Sequence, residues 1–239
     1  MDHVCIVCGC GPTVNSHILP RALLHDIRKE SKHLVSGSID KDGVGFHQSG
    51  FADRFLCRTH EDLFHQADDY AIDLCRAFAA GKYDVQSEYL LIANPVPQLL
   101  TRFAIGVVWR WVWSRYGRRL GLKLGSHEPK VRKVIFEHQV ALYQLIVTRS
   151  RASIKDRRVD LATYPSYGKM SGLNGWQFQV SGLMFNVFIS NERLEQNFNL
   201  LDATQKEALP VLELPLEDIR RTHSALTQRM KRRQVYKRD

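Results

Sequence analysis

Cys5-Ile6-Val7-Cys8 and Cys57-Arg58-Thr59-His60 place ligand-type side chains at the same two-residue gap. That gap lets both groups of a pair reach one ion across a tight turn, and Gly9 after the first pair lets the backbone fold back. Three thiolates and one imidazole are a closed tetrahedral set for Zn²⁺. The spacing therefore predicts one structural zinc held by Cys5, Cys8, Cys57 and His60. The second pair falls where a helix is expected to begin, so free backbone N–H groups there can support thiolate charge. The bland alternative is a set of unrelated buried cysteines and a surface histidine, and two pairs at equal spacing argue against it. Cys10 is poorly spaced from Cys8, and Cys75 lies on an apolar helix face; both are expected to be plain apolar residues.

The elements that must position these ligands are legible as patterns. β-prone runs at 33–39 and 44–47 flank the turn Asp40-Lys41-Asp42-Gly43. A helix is predicted from Pro20 to about Lys29. Another runs from Thr59 to about Ala80, with Leu63, Phe64, Ala67, Tyr70, Ala71, Leu74 and Phe78 on one face. A knuckle, a hairpin and a helix bearing the second ligand pair make a treble-clef, ββα-like zinc module.

Further helices are predicted over Pro97–Tyr116 and, from a capped start at Ser126, Glu128 and Pro129, on to about Arg149. Trp176–Val180 and Met184–Ile189 alternate around Ser181-Gly182 and read as a hairpin, and a last helix begins near Leu216. The expected class is α+β: an N-terminal zinc module at 1–82, then a helical and hairpin domain at 83–239 with a basic C-terminal tail.

Composition narrows the function classes. At 239 residues, 44% hydrophobic and 25% charged, the chain fits a soluble globular protein able to bury its own core. Lys and Arg number 34 against 25 Asp and Glu, a net +9, which favours a polyanionic partner. Nucleic acid is preferred over a membrane, because no lipidation motif accompanies the charge. The start of the chain has no signal-peptide pattern, and the cysteines cluster in ligand-like pairs, so a reducing cytoplasmic setting is expected. Leu99–Trp113 is apolar but shorter than the roughly 20 residues a bilayer needs. Arg102 and Arg110 interrupt it, so it reads as a buried core helix. No P-loop, Rossmann glycine pattern or Ser-His-Asp signature occurs.

The stretch Trp109–Arg119 interleaves aromatics with arginines. Bases can stack on such rings while arginines meet phosphates. On that reading Arg115, Arg118 and Arg119 bind nucleic acid; the competing reading is a core helix with Trp109 and Trp113 pointing inward and the same three arginines merely solvent-facing. Lys231, Arg232 and Arg233 in the tail form the densest charge cluster, either a nucleic-acid arm or a solvated helix end.

Between the two ligand pairs lies Asn15-Ser16-His17-Ile18-Leu19-Pro20. Here the sequence resembles the HNH endonuclease superfamily. Zinc-containing members of it carry C-x-x-C, an acidic-His-Ile-Ile-Pro segment, and Leu-Cys-x-x-Cys-His. It is closer to a bacterial branch with Ser-His-Ile-Ile-Pro and Leu-Cys-x-x-Cys-Glu. The likeness extends to Leu100-Thr101-Arg102-Phe103, Val108-Trp109-Arg110, Leu124–Glu128 and Lys130-Val131-Arg132, and weakly to the hairpin near Trp176.

The resemblance implies that His17 is a general base activating water against a phosphodiester, with Mg²⁺ or Mn²⁺ stabilising the developing charge. It places Glu61 at a metal position, with His65 one turn on as a recruit to a second site and Asp53 as the nearest match to the middle Asn. Ser16 stands where the family has an acidic residue. The expectation is a bacterial or phage zinc protein acting on nucleic acid as a metal-dependent phosphodiesterase. The rival is a non-catalytic binding or assembly protein whose clef is a structural clip. Convergence of His17, Glu61 and His65 on one ion-sized site would separate the two.

Overall fold

A computed structural model describes residues 4–28, 34–37, 44–47, 50–83, 85–86, 89–140, 143–150, 153–154, 157–158, 162–170, 172–195, 198, 201–205 and 208–214. The chain is mixed α+β, as expected. β1 (Thr13–His17) is followed by α1 (Arg21–Arg28), β2 (Leu34–Gly37), β3 (Val44–His47) and β4 (Ala52–Cys57). β1 pairs with β4 and β2 with β3, both antiparallel. β4 delivers Cys57 directly to the start of α2 (Arg58–Asp62), which carries His60.

The helix expected over Thr59–Ala80 is two helices. α2 stops at Leu63-Phe64, and α3 (His65–Ala79) starts afresh. The break turns Phe64 into the core, where its ring meets Phe136 edge-on at 5.7 Å and lies over Gly106, on which a Cβ would sit 3.0 Å from the ring. Arg76 of α3 bonds Asp26 of α1 at 2.7 Å, tying the two helices together.

β5 (Val85–Gln86) and β6 (Tyr89–Ala93) come next, then α4 (Pro97–Trp113) with proline in its first turn. The predicted continuation to Tyr116 is interrupted at Ser114. Its hydroxyl donates to the Trp111 carbonyl at 2.7 Å and accepts from the Gly117 N–H at 3.1 Å, capping a new helix, α5 (Arg115–Arg119). Gly117 is required there, because a Cβ would lie 2.1 Å from the Trp111 oxygen.

α6 (Glu128–Phe136) corrects the longer helix expected over Ser126–Arg149. It ends at Glu137, His138 takes a left-handed φ of 56°, and Gln144–Ser150 is a strand, β7. The run Leu145-Ile146-Val147-Thr148 is rich in β-branched residues and buried on both faces, which suits the interior of a sheet. Two short strands, β8 (Ser153–Ile154) and β9 (Arg157–Arg158), pair with each other. β10 (Ser166–Met170), β11 (Leu173–Val180), β12 (Leu183–Phe188) and β13 (Ala208–Leu214) complete the described elements. The hairpin expected around Ser181-Gly182 is β11–β12, with Ser181 at φ 51° and Gly182 at φ 81°.

β10-β11-β12-β7-β13-β6-β5 form one seven-stranded sheet, antiparallel except where β13 runs parallel to β7. From the expected helical middle, β6 therefore pairs with β13, over a hundred residues away, and β5 pairs with β6 at the edge of the sheet. Phe103 of α4 packs edge-on against Phe178 and Phe185 of the sheet at 6.0 and 5.4 Å. Among the described residues the main hydrophobic core runs from Cys5, Ile18 and Phe55 through α3 and α4 to Val211, and a smaller separate cluster gathers Ile146, Phe188 and Leu194. The helix expected from Leu216 and the basic tail lie outside the described residues.

Candidate metal centre and adjoining polar cluster

Cys5 and Cys8 sit on a reversed turn. The Gly9 N–H donates to the Cys5 carbonyl at 2.8 Å, the Cys5 N–H donates to the Cys10 carbonyl at 2.7 Å, and Gly9 supplies φ 72°. The Ile6 N–H donates to the Phe55 carbonyl at 3.0 Å, which docks this turn on β4. β4 and α2 then bring Cys57 and His60 to the same place. The four ligand atoms lie within 4.8 Å of one another, and the group can hold a metal ion.

The edges test the fit. Cys8 Sγ to Cys57 Sγ is 3.9 Å, Cys5 Sγ to His60 Nδ1 3.7 Å, and Cys57 Sγ to His60 Nδ1 3.2 Å. Tetrahedral zinc with bonds of about 2.3 Å to sulfur and about 2.0 Å to nitrogen has edges of about 3.5–3.8 Å. These three of the six edges match such an ion within a few tenths of an ångström, and all four ligand atoms lie within 4.8 Å of one another.

The four ligands do not shift alike: burial and the neighbouring thiols raise Cys57, and Cys8 is raised as well, whereas Cys5 and His60 are lowered. Burial raises the Cys5 thiol, but backbone N–H groups of Cys57, Cys8 and Val7 outweigh it and leave the group below its ordinary value. Burial, and secondarily Arg132, depress His60, keeping the imidazole neutral as a ligand must be. Arg132 of α6 also grips the knuckle: Nη1 donates to the Ile6 carbonyl at 3.3 Å and Nη2 to the Val7 carbonyl at 3.2 Å. The His60 ring rests edge-on against Phe136 at 5.4 Å. Cys75 is fully enclosed and its thiol is pushed up to about 12, as an inert apolar residue should be. Cys10 differs from expectation: it is exposed, with its thiol 3.7 Å from the Cys8 carbonyl.

The residues singled out by the sequence motif are spread over four elements: Ser16 and His17 on β1, Asp53 on β4, Glu61 on α2 and His65 on α3. In the β1–β4 register Ser16 stands opposite Asp53 and His17 opposite Ala52. His17 is half-buried, and burial, Arg21 and Arg110 all lower its pKa. Burial raises Glu61 strongly enough to outweigh Arg110 and Ser16, which favour its charged form. Neither Ser16 Oγ nor Glu61 Oε2, both sealed from solvent, has a hydrogen bond of good geometry. His65 is exposed at the start of α3, with Nε2 3.7 Å from Asp62. Asp53 is committed elsewhere: Oδ1 accepts from the Arg54 N–H at 2.9 Å and Oδ2 from the Arg115 N–H at the start of α5.

Sequence reasoning assigned Arg110 no role. It is 1% exposed, and its two terminal nitrogens each meet one oxygen of Asp68 at 2.8 Å, with the Phe64 ring 4.5 Å from Cζ. Its charge reaches both His17 and Glu61. Among the described residues, the ligand atoms of three or more His, Cys, Asp or Glu side chains converge only at Cys5, Cys8, Cys57 and His60, so His17, Glu61 and His65 are not gathered into a second such group. The visible signal was a charged residue within an apolar helix, which demands a partner.

The basic surface is divided. Arg115, Arg118 and Arg119 are exposed on α5 as expected, while Lys231, Arg232 and Arg233 fall outside the described residues. Trp109 is buried and Trp113 half-buried, and both indoles donate to Glu128 Oε1, at 2.9 and 2.8 Å. The rings beside α5 are others. Phe51 stacks on Tyr116 at 4.3 Å and on Tyr164 at 4.7 Å, and Trp111 stacks on Tyr164 at 5.1 Å. The Arg115 guanidinium lies 5.0 Å from the Tyr116 ring and donates to its hydroxyl at 3.1 Å. No helix among the described residues is long and apolar enough to cross a membrane. No family model, no curated protein and no solved structure matches this chain.

Proposed function

We propose that this is an HNH-like zinc protein that acts on nucleic acid by binding it, with the treble clef as a structural clip. The zinc assignment is supported by three sulfurs and one imidazole gathered within 4.8 Å of one another, a donor set that suits Zn²⁺. The observation that carries the nucleic-acid reading is the seating of α5. Asp53 caps it, stacked rings brace it, and it presents Arg115, Arg118 and Arg119 to solvent on a chain of net charge +9. Fixed arginines neutralise phosphates and release counterions on binding. Binding to DNA or RNA should weaken steeply with salt. The triple substitution Arg115→Ala, Arg118→Ala, Arg119→Ala should make the log K against log salt slope shallower by about two to three. Electrophoretic or anisotropy titrations from low to physiological salt read this directly. An unchanged slope would remove α5 from the interface.

The buried Arg110 favours binding over cleavage. A divalent cation at Glu61 would sit beside a fixed guanidinium, and like charges repel strongly where water is excluded. The phosphodiesterase reading remains as a second one because His17 is half-buried on β1, where burial, then Arg21 and Arg110, lower its pKa in the direction that favours a neutral base. The two separate cleanly. A base lost from a working site costs roughly 10² to 10⁴ in rate. On the binding reading, His17→Ala leaves oligonucleotide affinity unchanged, and wild-type protein cleaves nothing with Mg²⁺ or Mn²⁺. Metal-dependent cleavage lost in His17→Ala, with zinc content intact, would establish the catalytic reading instead.

A further inference from the structure

Tyr167 is a large aromatic residue left in the open. It is 56% exposed on β10, the strand at one end of the seven-stranded sheet. Ser166, Gly168 and Lys169 beside it are exposed as well. The ring is nonetheless supported from below. Its partner in the β10–β11 register is Trp176, and the two ring centroids lie 5.0 Å apart at 51°. Trp176 is 3% exposed and belongs to the main core, which fixes the indole under the tyrosine. Alternation along a strand puts Lys169 on the same face as Tyr167. Asn174, opposite Lys169, is exposed too. From Leu161 to Ser190 the sequence holds no Asp or Glu, and Lys169 is its one charged residue. The face thus offers a ring, an amide and a positive charge, and nothing on these strands repels an anion.

The same stretch of chain leads to α5. Tyr164 lies three residues before Tyr167, a separation of at most about 11 Å. Its ring stacks on Phe51 at 4.7 Å, and Phe51 stacks on Tyr116 of α5 at 4.3 Å. The Tyr164 hydroxyl also accepts from the Phe51 N–H at 2.8 Å. A short chain of ring contacts therefore joins the start of β10 to the helix that presents Arg115, Arg118 and Arg119. Cations and rings read nucleic acid differently. An arginine neutralises phosphates of a duplex or of a single strand alike. A protein ring stacks on a base only where the face of that base is free, as in an unpaired strand and not inside a stacked duplex.

We infer that Tyr167 is a base-stacking platform and that this surface takes an unpaired strand, with phosphates on the α5 arginines and Lys169. This rests on the nucleic-acid reading of α5 and names the form of nucleic acid bound. Unpaired bases come from DNA or from RNA.

The test is anisotropy titration of the full, metal-loaded chain with a labelled single-stranded DNA oligonucleotide and with the same sequence as a duplex. Wild-type protein should bind the single strand more tightly at equal salt. Tyr167→Leu removes the ring from an exposed position, so the melting temperature should not move. Its single-strand affinity should fall about ten-fold, the order expected for one stacked base. Duplex affinity and the salt slope should stay as in wild type, because no charge is lost. Tyr167→Phe keeps the ring and should keep the preference. An RNA strand of the same sequence assigns the source: tighter binding of one identifies it, and equal binding means that the base alone is read.

Equal affinity of wild-type protein for single strand and duplex would overturn the platform. So would a Tyr167→Leu variant that weakens both forms alike, which marks a packing role, or that weakens neither. Failure of the α5 reading looks different: the salt slope is untouched by the triple arginine substitution. Absence of binding to every form would remove both, whereas steep salt dependence without a strand preference would remove Tyr167 alone.

Discussion

Cys57→Ala is expected to strip the bound metal and to unfold far more than the first sixty residues. Purified wild-type protein should carry about one zinc per chain, and the variant should carry none by elemental analysis. Structural zinc contributes roughly 10–16 kcal/mol of apparent binding free energy in zinc-finger peptides. Even half of that rivals the roughly 5–15 kcal/mol that holds a typical domain folded. Cys5 is 1% exposed and belongs to the same core as α3, α4 and the sheet, so the loss should propagate. A single cooperative transition, strongly shifted to lower denaturant, is the expected result. Acid should release the metal as well, because thiolates and imidazole must be deprotonated to bind it. Arg132→Ala should hold zinc less well than wild type in a chelator competition, since its guanidinium supports the Ile6 and Val7 carbonyls inside the first ligand pair. Intact, reduced wild-type protein without zinc would remove the basis of the assignment.

The ligand set was readable because chelation is a local constraint: two residues of gap, twice, with a glycine after the first pair. The β11–β12 hairpin and the body of α4 were readable for a similar reason, their periodicity and turn residues lying within a short window. What was not readable depends on distance along the chain. β7 looked like the continuation of a helix, because a short apolar run fits either element and only its neighbours β12 and β13 decide. β6 and β13 pair over more than a hundred residues, and neither strand alternates cleanly. The hold of Arg132 on the knuckle spans a similar separation. The motif singled out His17 and Glu61, yet Arg110, whose charge acts on both after burial, arrives from a helix that reads as plain core.

Asp68→Ala should be the most damaging single change away from the metal. It would leave the Arg110 guanidinium buried beside Phe64 without the carboxylate that hydrogen-bonds it, since the charge cannot be shed by deprotonation. Breaking a buried pair in this way costs about 3–5 kcal/mol, whereas replacing both partners with apolar groups of similar volume is often near neutral. Asp68→Leu combined with Arg110→Met should therefore recover most of the stability lost by Asp68→Ala, read as the denaturant midpoint at constant slope. The double variant also separates stability from site chemistry. With the guanidinium gone, Glu61 loses the largest of the charges that favour its ionised form, and His17 loses one of the two cations that lower it. If Arg110 is what keeps a hard cation from Glu61, the double variant should bind Mn²⁺ more tightly than wild type, detectable by paramagnetic line broadening of the His17 ring protons. If Asp68→Ala costs no more than an ordinary surface change, about 0.5 kcal/mol, the pair is not the organising contact of this neighbourhood. Unchanged Mn²⁺ affinity in a folded double variant would mean that Arg110 does not decide between binding and cleavage, and that Ser16 in place of a carboxylate does.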